Sequence, residues 1–105
     1  MRHPLDASQD LEGFDWDTGN SRKNLEKHGM LTASCEQVFS NHPLIIEADS
    51  AHSLTESRFR AMGLNSEGMP LFVAFTIRDK KIRVISARPM SRQERRIYEK
   101  AKEAA

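Results

Sequence analysis

The chain has 105 residues, too few for two independently folding units of ordinary length, so a single domain is expected. Apolar residues make up 38% and charged residues 30%, but the apolar ones come in short dense clusters, which argues against general disorder; the longest run, Leu71 to Phe75, is far too short to span a bilayer. The formal net charge of +1 conceals a split: residues 1–57 hold four basic side chains against ten acidic ones (net −6), and residues 58–105 hold twelve against five (net +7), which points to an anionic partner for the second half, nucleic acid being the commonest.

Residues 1–13 lack periodicity and any apolar stretch of signal-peptide type, and read as a disordered leader to a domain over 14–105 in a soluble, cytoplasmic protein. A lone cysteine, Cys35, excludes an intrachain disulfide and suits a reducing compartment. From Thr18 to Lys27 the residues are helix-compatible, and His28-Gly29 supplies a stop. Thr32 is expected to cap a second helix through Phe39 that buries Leu31, Cys35, Val38 and Phe39, with His42-Pro43 ending it.

Strands are expected near 44–48, 57–63, 71–77 and 82–88, separated by polar turns short enough to favour an antiparallel meander. If Thr76 pairs with Arg83 across Arg78-Asp79-Lys80-Lys81, period-two alternation puts Leu71, Val73, Phe75, Ile77, Ile82 and Val84 on one face. Ala74, Thr76, Arg78, Arg83 and Ile85 fall on the other, together with Glu56, Arg58, Arg60 and Met62. The first face packs on the helices and the second is open. The last helix opens on Ser91-Arg92-Gln93-Glu94, a capping-box pattern. Ile97, Tyr98, Ala101 and Ala104 are its only apolar contacts, so it is expected to be weakly held, with Arg92, Arg95 and Arg96 on its early turns.

The open face would gather Arg58, Arg60, Arg78 and Arg83 near Glu56, with Glu47 and Asp49 on the neighbouring strand. Guanidinium groups bind phosphate oxygens bidentately and stabilise charge on a phosphorane, although a charged outer face with surface ion pairs is equally ordinary for an antiparallel sheet. Alternation puts Arg58 and Arg83 on the same exposed face, where they are the candidates for binding a phosphate, with Arg88 at the strand end. His52, in the polar loop before Glu56, and Glu56 itself are the candidate proton-transfer groups. His28 stands behind them, its place at a helix C-terminus being sufficient reason for a histidine. Trp16 either stacks on a base or packs in the core, and Cys35 lies on an apolar stripe, which favours packing over nucleophilic chemistry. No zinc-ligand spacing, glycine-rich phosphate loop or G-x-S-x-G turn is present.

Several ordered motifs coincide with a known family. Phe14-Asp15-Trp16-Asp17, Asn24-Leu25-Glu26-Lys27-His28-Gly29, Val38-Phe39, His52-Ser53, Glu56-Ser57-Arg58-Phe59-Arg60-Ala61-Met62-Gly63, Arg83-Val84-Ile85-Ser86-Ala87-Arg88, Glu94-Arg95 and Tyr98 together resemble the BrnT toxin family over about Phe14 to Glu99. Thr18 stands where the family often has proline, Leu54 interrupts an acidic stretch, and Pro89 precedes the final helix. The resemblance implies an α+β, RelE-like fold: a mainly antiparallel sheet of four to five strands, two N-terminal helices on one face and a C-terminal helix. It further implies a type II toxin–antitoxin ribonuclease, without cofactor or metal, cleaving RNA by 2′-hydroxyl attack. A BrnA-type antitoxin that also binds operator DNA would neutralise it, with no membrane involved.

On that reading Trp16, Lys27, Arg60 and Arg78 would hold RNA, and Arg92, Arg95, Arg96, Ile97 and Tyr98 would meet the antitoxin. The competing reading is a catalytically inert nucleic-acid-binding or antitoxin-binding module.

Overall fold

A computed structural model describes residues 11–52 and 56–104. Helix α1 spans Thr18–His28 and α2 Thr32–Ser40; strand β1 spans Ile45–Ala48, a short 3-10 turn Ser50–His52, β2 Arg58–Leu64, β3 Pro70–Arg78 and β4 Lys81–Pro89; helix α3 spans Arg92–Ala104. The four strands form one antiparallel sheet in the order β1-β2-β3-β4. This is the expected α+β meander, and Thr76 does pair with Arg83.

Asp17 caps α1, accepting the Asn20 N–H at 3.0 Å while the Asn20 side chain accepts the Asp17 N–H at 2.8 Å. Gly29, at φ 67°, ends the helix in the left-handed conformation, its N–H returning to the Leu25 carbonyl. One consequence corrects the expectation for α2. Coming out of that turn, Met30 points inward at 8% exposure and Leu31 outward at 58%, so Leu31 takes the capping position without a side-chain bond and Thr32 is the first helical residue.

The first sheet face carries the larger core: Ala61, Leu71, Val73, Phe75, Ile82, Val84 and Ala87 against Cys35 and Val38 of α2. Phe14, Phe39, Phe75 and Phe59 continue it as a ladder of rings with centroids 5.1 to 5.5 Å apart. Gly63 lets α2 approach β2, since a Cβ there would sit 3.0 Å from Val38 Cγ1.

Alternation breaks once. Ala74 pairs with Ser86 and Phe75 with Val84, leaving Ile85 as a bulged residue. The bulge shifts the phase of β4, so Ala87 joins the core and Arg88 crosses to the face that bears Arg83. Unbroken alternation would have put Arg88 on the core side.

The outer edge of β4 is paired by the first part of the chain. The Ile82 N–H donates to the Gly13 carbonyl and the Ile82 carbonyl accepts from Asp15, with Glu12 bonded to the Lys80 carbonyl. The leader expected over 1–13 lies mostly outside the described residues, but Leu11 packs on the core and Glu12 and Gly13 hold the β4 edge, so the folded segment includes them. On either side of the bulge, α1 replaces a neighbouring strand: Asn20 Nδ2 donates to the Val84 carbonyl at 3.0 Å, and the Ala87 N–H donates to Asn24 Oδ1 at 2.9 Å. Both asparagines are buried.

Helix α3 lies on the second sheet face. Tyr98, 1% exposed, packs in a small core with Met62, Met90, Ile45, Leu64 and Phe72, and its hydroxyl donates to the Pro43 carbonyl at 2.6 Å. The weakly held helix expected from its short apolar stripe is therefore anchored, because a single buried tyrosine provides both contact area and a hydrogen bond.

Candidate functional site

The registers arrange the second sheet face in rows. Arg58, Thr76 and Arg83 form one row across β2, β3 and β4; Glu47, Arg60, Ala74 and Ser86 form the next; Ile45, Met62, Phe72 and Arg88 form the third. Helix α3 covers the third and leaves the first two open. Thr76 is 2% exposed between the two flanking arginines, and its hydroxyl donates to the Ser57 carbonyl at 2.6 Å. A cleft of about 240 Å³ runs from Glu47, Arg60 and Met62 to Ser91, Gln93 and Ile97 at the start of α3.

Of the two readings open for this face, the surface ion pairs are present: most of its arginines face carboxylates. Arg83 Nη2 lies 2.9 Å from Asp17 Oδ2 and its Nη1 3.5 Å from Asp15 Oδ1. Arg60 is paired to Glu47 at 3.2 Å and Arg78 to Glu56 at 3.2 Å. The acidic first part of the chain folds against the basic second part, so a share of the anionic partner inferred from the charge split is the protein itself. The Asn20 N–H, and after it the Arg83 guanidinium, hold the Asp17 carboxyl below the usual carboxylate range.

Among the described residues no three His, Cys, Asp or Glu side chains are grouped to hold a metal ion, and no helix is long and apolar enough to cross a membrane.

A family model described as "Ribonuclease toxin, BrnT, of type II toxin-antitoxin system" matches residues 16–94, most of the chain. The chain belongs to the BrnT toxin family. The crystal structure of the Brucella abortus ribonuclease toxin, BrnT, has a similar fold, with a TM-score of 0.54 and 23% sequence identity over 76% of this chain and 97% of that one. No curated protein matches the sequence. The family is one of ribonuclease toxins of type II toxin–antitoxin systems, which carries with it an RNA target and an antitoxin partner.

Within this BrnT fold the expected site residues separate into groups. Arg58 and Arg83 share a row, and Glu56, through its pair with Arg78, borders the same end of the face. Arg88 is four residues along β3 from that row, roughly 13 Å away. It is held bidentately by Glu94 at 2.7 and 2.8 Å and stacks over the Phe72 ring at 4.5 Å, so it clamps α3 to the sheet. The Arg88 guanidinium in turn holds the Glu94 carboxyl below its usual range.

His28, half-buried, closes α1 eight residues from Asn20, roughly 12 Å along the axis from the end that adjoins Arg83. The side chain of His52 lies outside the described residues. Trp16 packs against the first core with its indole N–H on Glu36 at 2.8 Å, on the α2 side of the sheet and away from the arginine rows. Lys27 is exposed on α1. On α3, Arg92, Arg95, Arg96 and Ile97 are exposed, whereas Tyr98 is buried and unavailable to a partner while the helix is docked. Cys35 is fully buried, and desolvation pushes its thiol up to about 11, which leaves it a core residue.

Sequence reasoning missed Asp15 and Asp17 as parts of the arginine site and Asn20 and Asn24 as its scaffold. The signal for the first pair was two acids bracketing Trp16 in a chain whose cations lie elsewhere; the second pair sits at i, i+4 spacing, but nothing local says that β4 carries a bulge needing both a donor and an acceptor.

Proposed function

We propose that this BrnT family member is a metal-independent endoribonuclease that cleaves RNA by attack of a ribose 2′-hydroxyl on the adjacent phosphorus, arresting translation and growth. The observation that carries the reading is the Arg58–Thr76–Arg83 row, two guanidinium groups on one open sheet face beside Glu56. In the proposed step the 2′-oxygen bonds to phosphorus and the P–O5′ bond breaks, leaving a 2′,3′-cyclic phosphate and a 5′-hydroxyl. Glu56, or His52 from the neighbouring loop, takes the 2′-hydroxyl proton; the departing 5′-oxygen takes a proton from water. Arg58 and Arg83 bind the phosphate and offset the charge that builds on it. Arg83 reaches that role by exchanging a carboxylate for a phosphodiester oxygen, so the aspartates compete with substrate.

A BrnA-type antitoxin laid over the sheet face and the exposed side of α3 would block RNA sterically, and any operator DNA would be bound through the antitoxin, in the cytoplasm. The carboxylate pairing of the arginines supports a second reading, an inert nucleic-acid-binding or antitoxin-binding module.

Incubating the folded, antitoxin-free protein with RNA in EDTA separates the two. Cleavage to cyclic-phosphate ends, reduced at least tenfold in Arg58→Ala and in Arg83→Ala, is the expected result. Binding without cleavage would establish the second reading, and near-wild-type cleavage by both variants would remove the assigned roles.

A further inference from the structure

We propose that the outward side of α3, marked by Arg92, Arg96 and Lys100 with Arg95 beside them, is the surface that captures single-stranded RNA and leads it to the sheet face. The proposal rests on the ribonuclease reading for its substrate class but not for its evidence. Electrostatic capture of a polyanion needs cations that are not already neutralised. Arg60, Arg78, Arg83 and Arg88 each have a carboxylate within 3.2 Å. Among the described residues Arg92, Arg95, Arg96 and Lys100 have none within 4.0 Å, and all four are exposed. On the same helix Glu94 is engaged by Arg88 and Glu99 by Lys102, at 2.9 Å, and Glu103 is the one remaining carboxylate, so against the four cations the outward side keeps an excess of positive charge.

The spacing suits a strand rather than a point ligand. Arg92, Arg96 and Lys100 follow one another at i, i+4, i+8, about 6 Å apart along the axis. The helix is a fixed platform because Tyr98 is buried, its hydroxyl is bonded to Pro43, and Arg88 and Ser91 both engage Glu94. At its flank lies the cleft lined by Glu47, Arg60, Phe72, Gln93, Glu94 and Ile97, whose two carboxylates are each paired to an arginine and whose Arg60 is two residues along β2 from Arg58. The other uncompensated cations on a helix, Lys23 and Lys27 of α1, alternate with the Arg22–Glu26 pair and are fewer.

The test uses a 2′-O-methyl oligoribonucleotide, which lacks the attacking hydroxyl, and follows its binding by fluorescence anisotropy over a range of salt. The triple change Arg92→Ala, Arg96→Ala, Lys100→Ala alters only exposed side chains. It should weaken binding at low salt by at least tenfold and flatten the slope of log affinity against log salt by about 2, near 0.7 for each phosphate that is no longer neutralised. The charge-keeping set Arg92→Lys, Arg96→Lys, Lys100→Arg should bind within about twofold of the parent. Affinity and slope unchanged in the triple alanine protein would overturn the proposal, as would loss of antitoxin binding with RNA binding intact, which would make the surface a protein interface. Cleavage of ordinary RNA by the parent protein, run in parallel, separates the two readings. Cleavage with an unaffected triple variant sinks the α3 surface alone; α3-dependent binding without cleavage sinks the ribonuclease reading alone.

Discussion

Asp17 performs two jobs with one carboxylate, capping α1 through Asn20 and pairing with Arg83. Asparagine caps a helix about as well as aspartate but carries no charge. Asp17→Asn should therefore keep the fold, with a melting temperature within a few degrees of the parent, and bind an uncleavable RNA several-fold more tightly, because Arg83 is released toward phosphate. Weaker or unchanged binding in an anisotropy titration would mean that the aspartate orients Arg83 rather than competing for it.

Glu94 is the other carboxylate with a double role, held by Arg88 and accepting the Ser91 N–H at 2.8 Å. Its folded pKa is lowered from the ordinary 4.5, so the stabilisation is fully present above that value and is lost as pH falls through the lowered one. Glu94→Gln should cost about 1–2 kcal/mol in urea unfolding at neutral pH, allowing for partial exposure of the pair. The difference from the parent should shrink as pH drops below that window.

At the scale of elements, the bulged strand β4 relies on α1. Removing the Asn24 side chain leaves the Ala87 N–H buried without an acceptor, and Asn24→Ala should destabilise by about 2–3 kcal/mol. Hydrogen exchange should then show the Ala87 amide losing protection ahead of its neighbours in β3, and protection equal to theirs would show that water takes over the bond. The β3–β4 hairpin has the opposite opportunity. Its two-residue turn places Asp79 at φ 52° and Lys80 at φ 63°, the left-handed pair that Asn-Gly fills most readily. The double change Asp79→Asn, Lys80→Gly should raise stability by about 0.5–1 kcal/mol by relieving that conformation, read as a shift in the urea midpoint.

For the molecule as a whole, the charge split becomes an internal match. Residues 12–17 lie along β4, and Asp15 and Asp17 reach Arg83 while Glu47 and Glu56 reach Arg60 and Arg78. Exposed pairs contribute only about 0–1 kcal/mol each and are screened by salt. Raising sodium chloride from roughly 50 mM to 500 mM, a threefold contraction of the Debye length, should therefore lower the unfolding free energy by about 1–2 kcal/mol. A stability independent of salt would show that these pairs are energetically neutral. With the α3 cations as the proposed capture surface, RNA binding should fall far more steeply over the same range.

Much of this protein could be read without its structure, because the features concerned are local. Period-two runs set the four strands, the Asp79-Lys80 turn set the Thr76–Arg83 register, Gly29 and the Ser91–Glu94 box marked helix ends, and the ordered motifs from Phe14 to Tyr98 marked the family. What the tertiary structure decided depends on partners distant in sequence. A bulge at Ile85 is invisible in a run that continues to look like strand, yet it moves Arg88 to the opposite face and hands it to Glu94. Burial of Tyr98 depends on how Met62 and Phe72 emerge on the sheet, not on the apolar content of α3. Counting charges along the chain gave their sums, but whether a guanidinium faces solvent or a carboxylate is settled by geometry at about 3 Å, and a linear sequence carries no such distances.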